Sequence, residues 1–201
     1  MTLLSDIYDV TLKRGNREAA KGGFVRPTVG EHFMTNKDFK KVEKQLILIG
    51  YTQDLCTDSV ENSTASSNYP DRGANKAFDN LLTGYLNQWQ SVGNVTFPQW
   101  ISYDFSTNEE KCIIKYTVQA SAVSHLLHNP KDWVFEGSHN GITWDTLDTQ
   151  TDQTNWGYSE KREFTFDNTI NYRYYRLYIT NNNGEKYLII GEIEMMEGIY
   201  E

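Results

Sequence analysis

Apolar and polar residues alternate with a period of two along most of the chain beyond residue 50. This alternation is typical of strands that bury one face and expose the other. It is clearest in seven segments: 100–105, 111–119, 132–137, 143–149, 162–167, 172–180 and 187–197. Because turn-forming residues separate these segments, the pattern predicts an all-β sandwich or barrel. One helical hint of about two turns, residues 75–82, interrupts the strands.

The segment DWVFEGSHNGITWDTLD, residues 132–148, contains two aromatic and β-branched stretches around Asn140-Gly141. Asn-Gly is a strong hairpin signal, because a tight turn needs positive φ angles that these two residues tolerate. The sequence therefore predicts a turn here with a strand on each side. Each strand region carries a tryptophan, Trp133 or Trp144.

The first fifty residues follow a helical rather than a strand period. Four apolar residues fall at i, i+3, i+7 and i+10, the spacing of one helical face: Phe39, Val42, Leu46 and Ile49. We therefore predict a short amphipathic helix over residues 37–49. We interpret residues 1–50 as an N-terminal arm and residues 51–201 as the β-sandwich. The apolar stripe has to be buried, either against the sandwich or against a protein partner.

Charge is distributed unevenly. The chain has a formal net charge of −8; residues 1–50 contribute +3 and residues 51–201 contribute −11. An acidic main body argues against binding to nucleic acid, whose backbone needs clustered cations. No run of residues approaches the length of about 20 apolar residues that a membrane helix needs, so we expect no membrane insertion. The N-terminal residues lack the features of a signal peptide.

Residue patterns that carry catalysis are absent from the sequence. It has no Gly-x-Ser-x-Gly, no His-Glu-x-x-His, no Cys-x-x-Cys and no phosphate-binding loop. His125 and His128 are three residues apart, a spacing that on a helix offers two metal ligands. The segment ends in Asn-Pro and is also typical of a loop between strands, where such a pair is incidental. We therefore expect a protein that is not an enzyme, and keep a hydrolase as a remote alternative.

Five motifs in a fixed order resemble the discoidin, or coagulation factor V/VIII type C, domain. They are KAFDNLLTGYLNQWQS, PQWISYDF, NPKDWVFEGSHNGITWDTLDTQT, YRYYRLYIT and GEIEM, and they cover roughly residues 55–197. The resemblance implies a galactose-binding-like jelly-roll β-sandwich of the variant found in phage, bacterial and protist proteins. In such a sandwich, Trp133 and Trp144 are expected to pack in the core between the sheets.

The resemblance also implies a structural calcium site. Asp79 and Glu192 would supply carboxylates, Lys76 and Leu81 backbone carbonyls, and Thr83 a hydroxyl, in keeping with the oxygen ligands that Ca²⁺ prefers. The family threonine usually lies five residues after the aspartate, whereas Thr83 lies four after Asp79. The alternative is a metal-free turn in which Asp79 caps the short helix.

Ligands of related domains bind to loops at one end of the sandwich. Four stretches are expected to form that face here: 85–97, 121–129, 152–160 and 181–187. Trp156 and Tyr158 lie outside every strand pattern, and an exposed aromatic plane suits the apolar face of a sugar ring. The candidate ligand-binding residues are therefore Trp156, Tyr158, His125, His128, Asn182 and Asn183. The alternative for Trp156 is a loop residue that packs on the mouth of the sandwich.

The sequence favours a non-catalytic module that binds a cell-surface glycan and is carried by its N-terminal arm in a larger, oligomeric assembly. A phage virion is one such assembly, and virions leave the cell without a signal peptide. The alternative function is purely structural, as a tail or capsid accessory protein that makes protein–protein contacts. The expected location is a virion or another extracellular-facing assembly, and otherwise the cytoplasm.

Overall fold

The strands that the alternating pattern predicts are present in the computed structural model, which describes residues 46–56, 60–82, 84–106, 109–122 and 126–201. The described residues form eleven strands: β1 Leu48–Tyr51, β2 Ser63–Ala65, β3 Trp89–Gln90, β4 Gln99–Asp104, β5 Ile113–Gln119, β6 Pro130–Ser138, β7 Asp145–Gln150, β8 Lys161–Thr165, β9 Tyr174–Asn182, β10 Ile189–Ile190 and β11 Glu192–Tyr200. Their helices are three short 3₁₀ turns: Val60–Asn62, Ala74–Ala77 and Leu126–His128. The all-β prediction is confirmed.

The strands form two larger antiparallel sheets, packed as a sandwich, and one small ribbon. The four-stranded sheet has the order β1-β11-β5-β8, and the five-stranded sheet has the order β2-β4-β9-β6-β7. Strand β3 pairs with β10 in the ribbon. Tyr116 of β5 stacks on Phe135 of β6 with ring centres 4.1 Å apart, so aromatic side chains of the two inner faces meet in the core.

The hairpin around Asn140-Gly141 joins β6 to β7, as predicted, and Gly141 has a φ of +71°. Trp133 is buried in the core, and its Nε1 donates a hydrogen bond to Tyr116 Oη at 3.0 Å. The prediction for Trp144 is wrong, because this residue is only half-buried and lies against Arg176 on the outer face of the sheet. Trp144 precedes the first residue of β7, so the strand alternation does not govern its direction.

The predicted helix over residues 37–49 is wrong at its C-terminal end. Residues 37–45 lie outside the described part of the chain, but Leu48–Tyr51 is strand β1, which pairs with β11. The edge of β11 offers backbone hydrogen-bonding groups that a strand satisfies and a helix would not. The division at residue 50 therefore cuts a strand, and the compact unit that contains the sandwich begins at Leu48.

The helical hint over residues 75–82 is also shorter than predicted. A single 3₁₀ turn, Ala74–Ala77, is formed, and Asn80 has a φ of +54°. The Asp79 carboxylate accepts a hydrogen bond from the Leu81 amide at 3.0 Å, a local side-chain contact that competes with helix continuation. Asp79 follows the 3₁₀ turn, so the part of the alternative in which Asp79 caps a helix is wrong, while the metal-free turn itself stays an alternative.

The antiparallel registers bring five loops to one end of the sandwich, which we call the loop end. The C-terminal ends of β2, β5, β7 and β9 lie there beside the N-terminal ends of β4, β6, β8 and β11. The four stretches expected from the sequence belong to these loops. The earlier part of the connection from β2 to β3, which is not among the four stretches, joins them.

Candidate functional site

Trp156 is buried, so the predicted exposure of its indole is wrong. It is 4% exposed, and its Nε1 donates hydrogen bonds to the carbonyl oxygens of Pro130 at 3.0 Å and Gln153 at 3.1 Å. The guanidinium carbon of Arg162 lies 4.0 Å from the ring centre. Asn155 has a φ of +58°, which turns the loop so that the next side chain enters the core. The alternative in which Trp156 packs on the mouth of the sandwich describes this arrangement.

Asn182 and Asn183 hold the loops together. The Asn182 amide nitrogen donates to the carbonyl oxygens of Glu185 and Tyr187, both at 2.7 Å. The Asn183 amide nitrogen donates to the carbonyl oxygens of Asn129 at 3.0 Å and of Gln153 at 3.1 Å. Both side chains therefore determine loop geometry, and a direct ligand contact through them stays a prediction.

The remaining predicted ligand residues are in different environments. Tyr158 is 63% exposed, as a ligand-stacking residue requires. His128 is buried, with its ring edge-on to Tyr187 at 5.6 Å and its Nε2 3.7 Å from Glu185 Oε2. His125 lies outside the described residues. His128 therefore packs beside Tyr187.

A turn in the connection from β2 to β3 presents Tyr69 and Arg72 side by side. Pro70 and Asp71 occupy the centre of the turn, and Asp71 has a φ of +63°, as the third residue of a type II turn requires. The Arg72 amide donates to the Tyr69 carbonyl at 3.0 Å, and the Tyr69 amide donates to the Gln90 carbonyl at 2.7 Å. The turn is therefore fixed on strand β3.

Arg72 is the centre of an aromatic cluster at the loop end. Its guanidinium carbon lies 3.5 Å from the ring centre of Tyr85 and 5.1 Å from that of Tyr69. The Tyr187 ring packs edge-on against Tyr69 at 6.0 Å. The Tyr85 and Tyr69 rings are 56% and 38% exposed. We call Tyr69, Arg72, Tyr85 and Tyr187 the tyrosine–arginine cluster.

The arginine itself is 5% exposed and has one side-chain acceptor, Gln90 Oε1, which receives a hydrogen bond from Nη1. Its buried Nε has no hydrogen-bond partner within the part of the chain that the structure describes. The cluster thus combines exposed tyrosines, whose rings suit the apolar face of a sugar, with a buried arginine that has a single side-chain acceptor. The signal in the sequence was the turn Tyr69-Pro70-Asp71-Arg72, which is outside the alternating strand pattern.

The predicted calcium ligands form a buried acidic position beside the 3₁₀ turn. Glu192 is 3% exposed, and neither of its carboxylate oxygens has a hydrogen-bond partner among the described residues. Burial, with the nearby carboxylates of Asp79 and Asp54, raises the pKa of Glu192 to about 9. Asp79 Oδ2 lies 3.4 Å from the ammonium of Lys76.

This arrangement fits a hard cation, because buried polar atoms normally have partners and Ca²⁺ prefers carboxylate and carbonyl oxygens. Thr83, the predicted hydroxyl ligand, lies outside the described residues. Within the described ranges, no group of three or more His, Cys, Asp or Glu side chains is positioned to hold a metal ion. Asp79 and Glu192 would therefore be the two carboxylate ligands, completed by carbonyl oxygens of Lys76 and Leu81.

The sequence model of the F5/8 type C domain matches residues 62–193, most of the sandwich. The chain belongs to the F5/8 type C domain family. The resemblance inferred from the five motifs is thereby confirmed, with the galactose-binding-like β-sandwich fold. A search among curated proteins finds no match. No helix in the described ranges is long and apolar enough to cross a membrane.

Solved structures of bacterial carbohydrate-binding modules share the fold of this F5/8 type C domain. The family 32 module of C. perfringens NanJ, in complex with galactose, has a TM-score of 0.59 at 16% identity and covers 73% of this chain and 99% of its own. Chitosan-binding module 1 from the chitosanase/glucanase of Paenibacillus sp. IK-5 has a TM-score of 0.56 at 21% identity, covering 72% and 98%. The lectin domain of lectinolysin, complexed with Lewis B antigen, has a TM-score of 0.57 at 13% identity, covering 72% and 97%.

Proposed function

We propose that this F5/8 type C domain is a non-catalytic glycan-binding module whose ligand site is the tyrosine–arginine cluster. The observation that carries the proposal is the exposure of Tyr85 and Tyr69, whose rings both lie close to a buried arginine at the loop end. Aromatic rings stack on the apolar faces of sugars, and the guanidinium supplies donors to sugar oxygens. The complexes of similar folds with galactose and with Lewis B antigen support this class of ligand.

A glycan array, followed by calorimetry on the best ligand, tests the proposal with a pair of tyrosine variants. Tyr85 and Tyr158 are 56% and 63% exposed and both lie in loops of the loop end. Tyr85→Ala should remove binding, because the ring stacks within the cluster, whereas Tyr158→Ala should leave it unchanged. Loss of binding in Tyr158→Ala alone would move the site to the loop before β8 and contradict the proposal.

We further propose that Asp79 and Glu192 hold a structural Ca²⁺. The observation in favour is the pair of unpartnered carboxylate oxygens on the buried Glu192. A cation that binds the native state stabilises it by mass action, so calcium should raise the melting temperature and a chelator should lower it. Glu192→Gln should remove this sensitivity, while Glu163→Gln, at an exposed carboxylate that pairs with Lys115, should retain it. An identical melting temperature with calcium and with chelator would refute the site.

The N-terminal residues are proposed to attach the module to a larger assembly, with a phage virion as one case; a purely structural role in such an assembly is the alternative. Every strand of the described residues lies in Leu48–Glu201, which allows the two parts to be separated without cutting β1. Deletion of residues 1–47 should leave glycan binding and the melting temperature unchanged but abolish higher-order association in sedimentation. A deletion that leaves association intact would contradict the attachment.

A further inference from the structure

The described residues contain four arginines, and three of them have a carboxylate partner. Arg162 Nε lies 2.7 Å from Glu160, Arg173 Nε lies 2.7 Å from Asp104, and Arg176 Nε lies 2.5 Å from Glu136. These three arginines are all half-buried. Arg72 is the most buried of the four, and no carboxylate within the described residues pairs with it.

The position of Arg72 is therefore unusual for a cation. Burial of a charge is unfavourable unless the charge is paired and fully hydrogen-bonded, and arginine remains protonated at any physiological pH. Gln90 satisfies one nitrogen, the Tyr85 ring covers the guanidinium plane, and Nε is left without a partner. An anionic ligand in contact with the guanidinium would supply the missing negative charge.

We infer that the tyrosine–arginine cluster selects acidic glycans, with Arg72 binding an anionic substituent of the sugar while Tyr85 and Tyr69 stack on its ring. This inference rests on the proposed function and narrows it to a ligand class. A guanidinium presents two N–H donors in the planar geometry of a carboxylate, which makes the carboxylate of a uronic or sialic residue the best-matched group.

Charges of both signs surround the tyrosine–arginine cluster, so its interaction with an anion acts at short range. The Lys186 ammonium lies 5.1 Å from the Tyr187 ring centre and adds a second positive charge to the same surface. The Glu185 carboxylate, 3.7 Å from His128 Nε2, has the opposite effect, and the whole chain carries a net charge of −8. Long-range attraction of an anion is therefore weak, and selectivity depends on the direct contact with Arg72.

Calorimetry with matched ligands tests the inference: sialyllactose against lactose, oligogalacturonate against its methyl ester, and a sulfated against an unsulfated oligosaccharide. At least one acidic member should bind more tightly than its neutral match, and the three pairs identify the anionic group. Arg72→Gln should weaken binding of the acidic member by about 30-fold or more, the effect expected when one partner of a buried charge pair is removed. The same substitution at Arg173, which lies at the opposite end of β9 and pairs with Asp104, should leave the preference unchanged.

Gln90→Glu provides an independent variant that keeps the arginine. Gln90 is buried and accepts a hydrogen bond from Arg72 Nη1, so a glutamate there would give Arg72 an internal carboxylate. This variant should fold and should lose the preference for the acidic member. Wild-type protein that binds neutral and acidic members equally would overturn the inference and leave the proposed function intact. Wild-type protein that binds none of the glycans on an array would overturn both.

Discussion

Two arginine–aromatic stacks at the loop end use the same pair of groups in opposite ways. In one, Arg162 lies 4.0 Å from the Trp156 ring centre, and the aromatic residue is the buried partner, at 4% exposure. In the other, Arg72 lies 3.5 Å from the Tyr85 ring centre, and the arginine is the buried partner, at 5% exposure. The chemistry of the two pairs is similar, but the burial of their members is reversed.

The difference lies in the hydrogen bonds of each arginine. Arg162 donates to the Glu160 carboxylate at 2.7 Å, to the Gln153 amide oxygen at 2.9 Å and to the Thr154 carbonyl at 2.8 Å. These three acceptors provide Arg162 with hydrogen-bond partners within the protein, and its guanidinium covers the buried indole. Arg72 lacks a carboxylate and keeps an unpartnered Nε among the described residues, and the exposed member of its stack is Tyr85. The number of hydrogen-bond partners of the arginine, rather than the aromatic residue, distinguishes the structural stack from the candidate binding stack.

Removal of the buried indole should have the largest effect. Trp156→Ala is expected to lower the free energy of unfolding by about 3–5 kcal/mol, the range for large aromatic side chains in a core. Urea unfolding, with Tyr158→Ala as the control in the same loop, measures this loss. A Trp156→Ala variant as stable as the wild type would mean that the loop does not pack on the core, and the contrast between the two stacks would disappear.

Glu192, a buried carboxylate without hydrogen-bond partners among the described residues, should make the stability of the protein depend on pH. Because the pKa of Glu192 rises from its usual value of 4.5 to about 9, the folded state holds a proton that the unfolded state loses above about pH 5. Stability in chelator should therefore fall as the pH rises from about 5 to 9, by a few kcal/mol at about 1.4 kcal/mol per pKa unit. Added calcium should offset the loss.

Thermal unfolding of wild type and Glu192→Gln across this pH range checks the prediction. The glutamine variant cannot ionise, so its melting temperature should change less with pH. Parallel pH profiles for the two proteins would show that Glu192 has an ordinary pKa in the folded state, and would remove the main support for the calcium site.

Loss of the paired arginine should affect stability and spare binding. Arg162→Gln removes a charge-assisted hydrogen bond to Glu160 and two further donors, with an expected loss of about 1–3 kcal/mol in the free energy of unfolding. Glycan affinity should remain within the error of the calorimetric measurement. A loss of affinity without a loss of stability would assign the binding role to the Trp156 stack and reverse the comparison.

The smallest effect on stability is expected at Tyr85, the exposed member of the open stack. Tyr85→Ala should change the free energy of unfolding by no more than about 0.5 kcal/mol, as is usual for surface positions, while removing glycan binding. Urea unfolding and calorimetry on the same preparation separate the two effects. A large destabilisation would show instead that Tyr85 is a structural cover for Arg72.

The sequence by itself determined the sandwich. The alternation of Leu177 with Arg176 and Tyr178 predicts the inner and outer faces of β9, and the structure buries Leu177 in the core while the other two are only half-buried. Period-two burial is a local property of a strand, so it can be read without knowledge of its neighbours. The loops that the family resemblance places at one end do share it, because the antiparallel registers bring the corresponding strand ends together.

The structure of the loops was decided by contacts between residues distant in sequence. Trp156 follows no alternating pattern and looks exposed, but the Pro130 carbonyl and Arg162 bury it. Ile49 belongs to an apolar stripe with helical spacing, yet it lies in strand β1, which pairs with β11. Tertiary contacts override weak local preferences at such positions.

The burial of the charged residues at the candidate sites also depends on tertiary structure. Arg72 is an ordinary ionisable residue in the sequence, and Glu192 was named only through the family resemblance; nothing in the neighbours of either predicts burial at 5% and 3% exposure. Both residues have buried polar atoms without a hydrogen-bond partner among the described residues: Nε of Arg72 and the two carboxylate oxygens of Glu192. A missing partner is a property of the folded surroundings, because the desolvation of a charge depends on every group packed around it. The scaffold could therefore be predicted from the sequence, and the burial of Arg72 and Glu192, on which the proposed sites rest, was decided only by the tertiary structure.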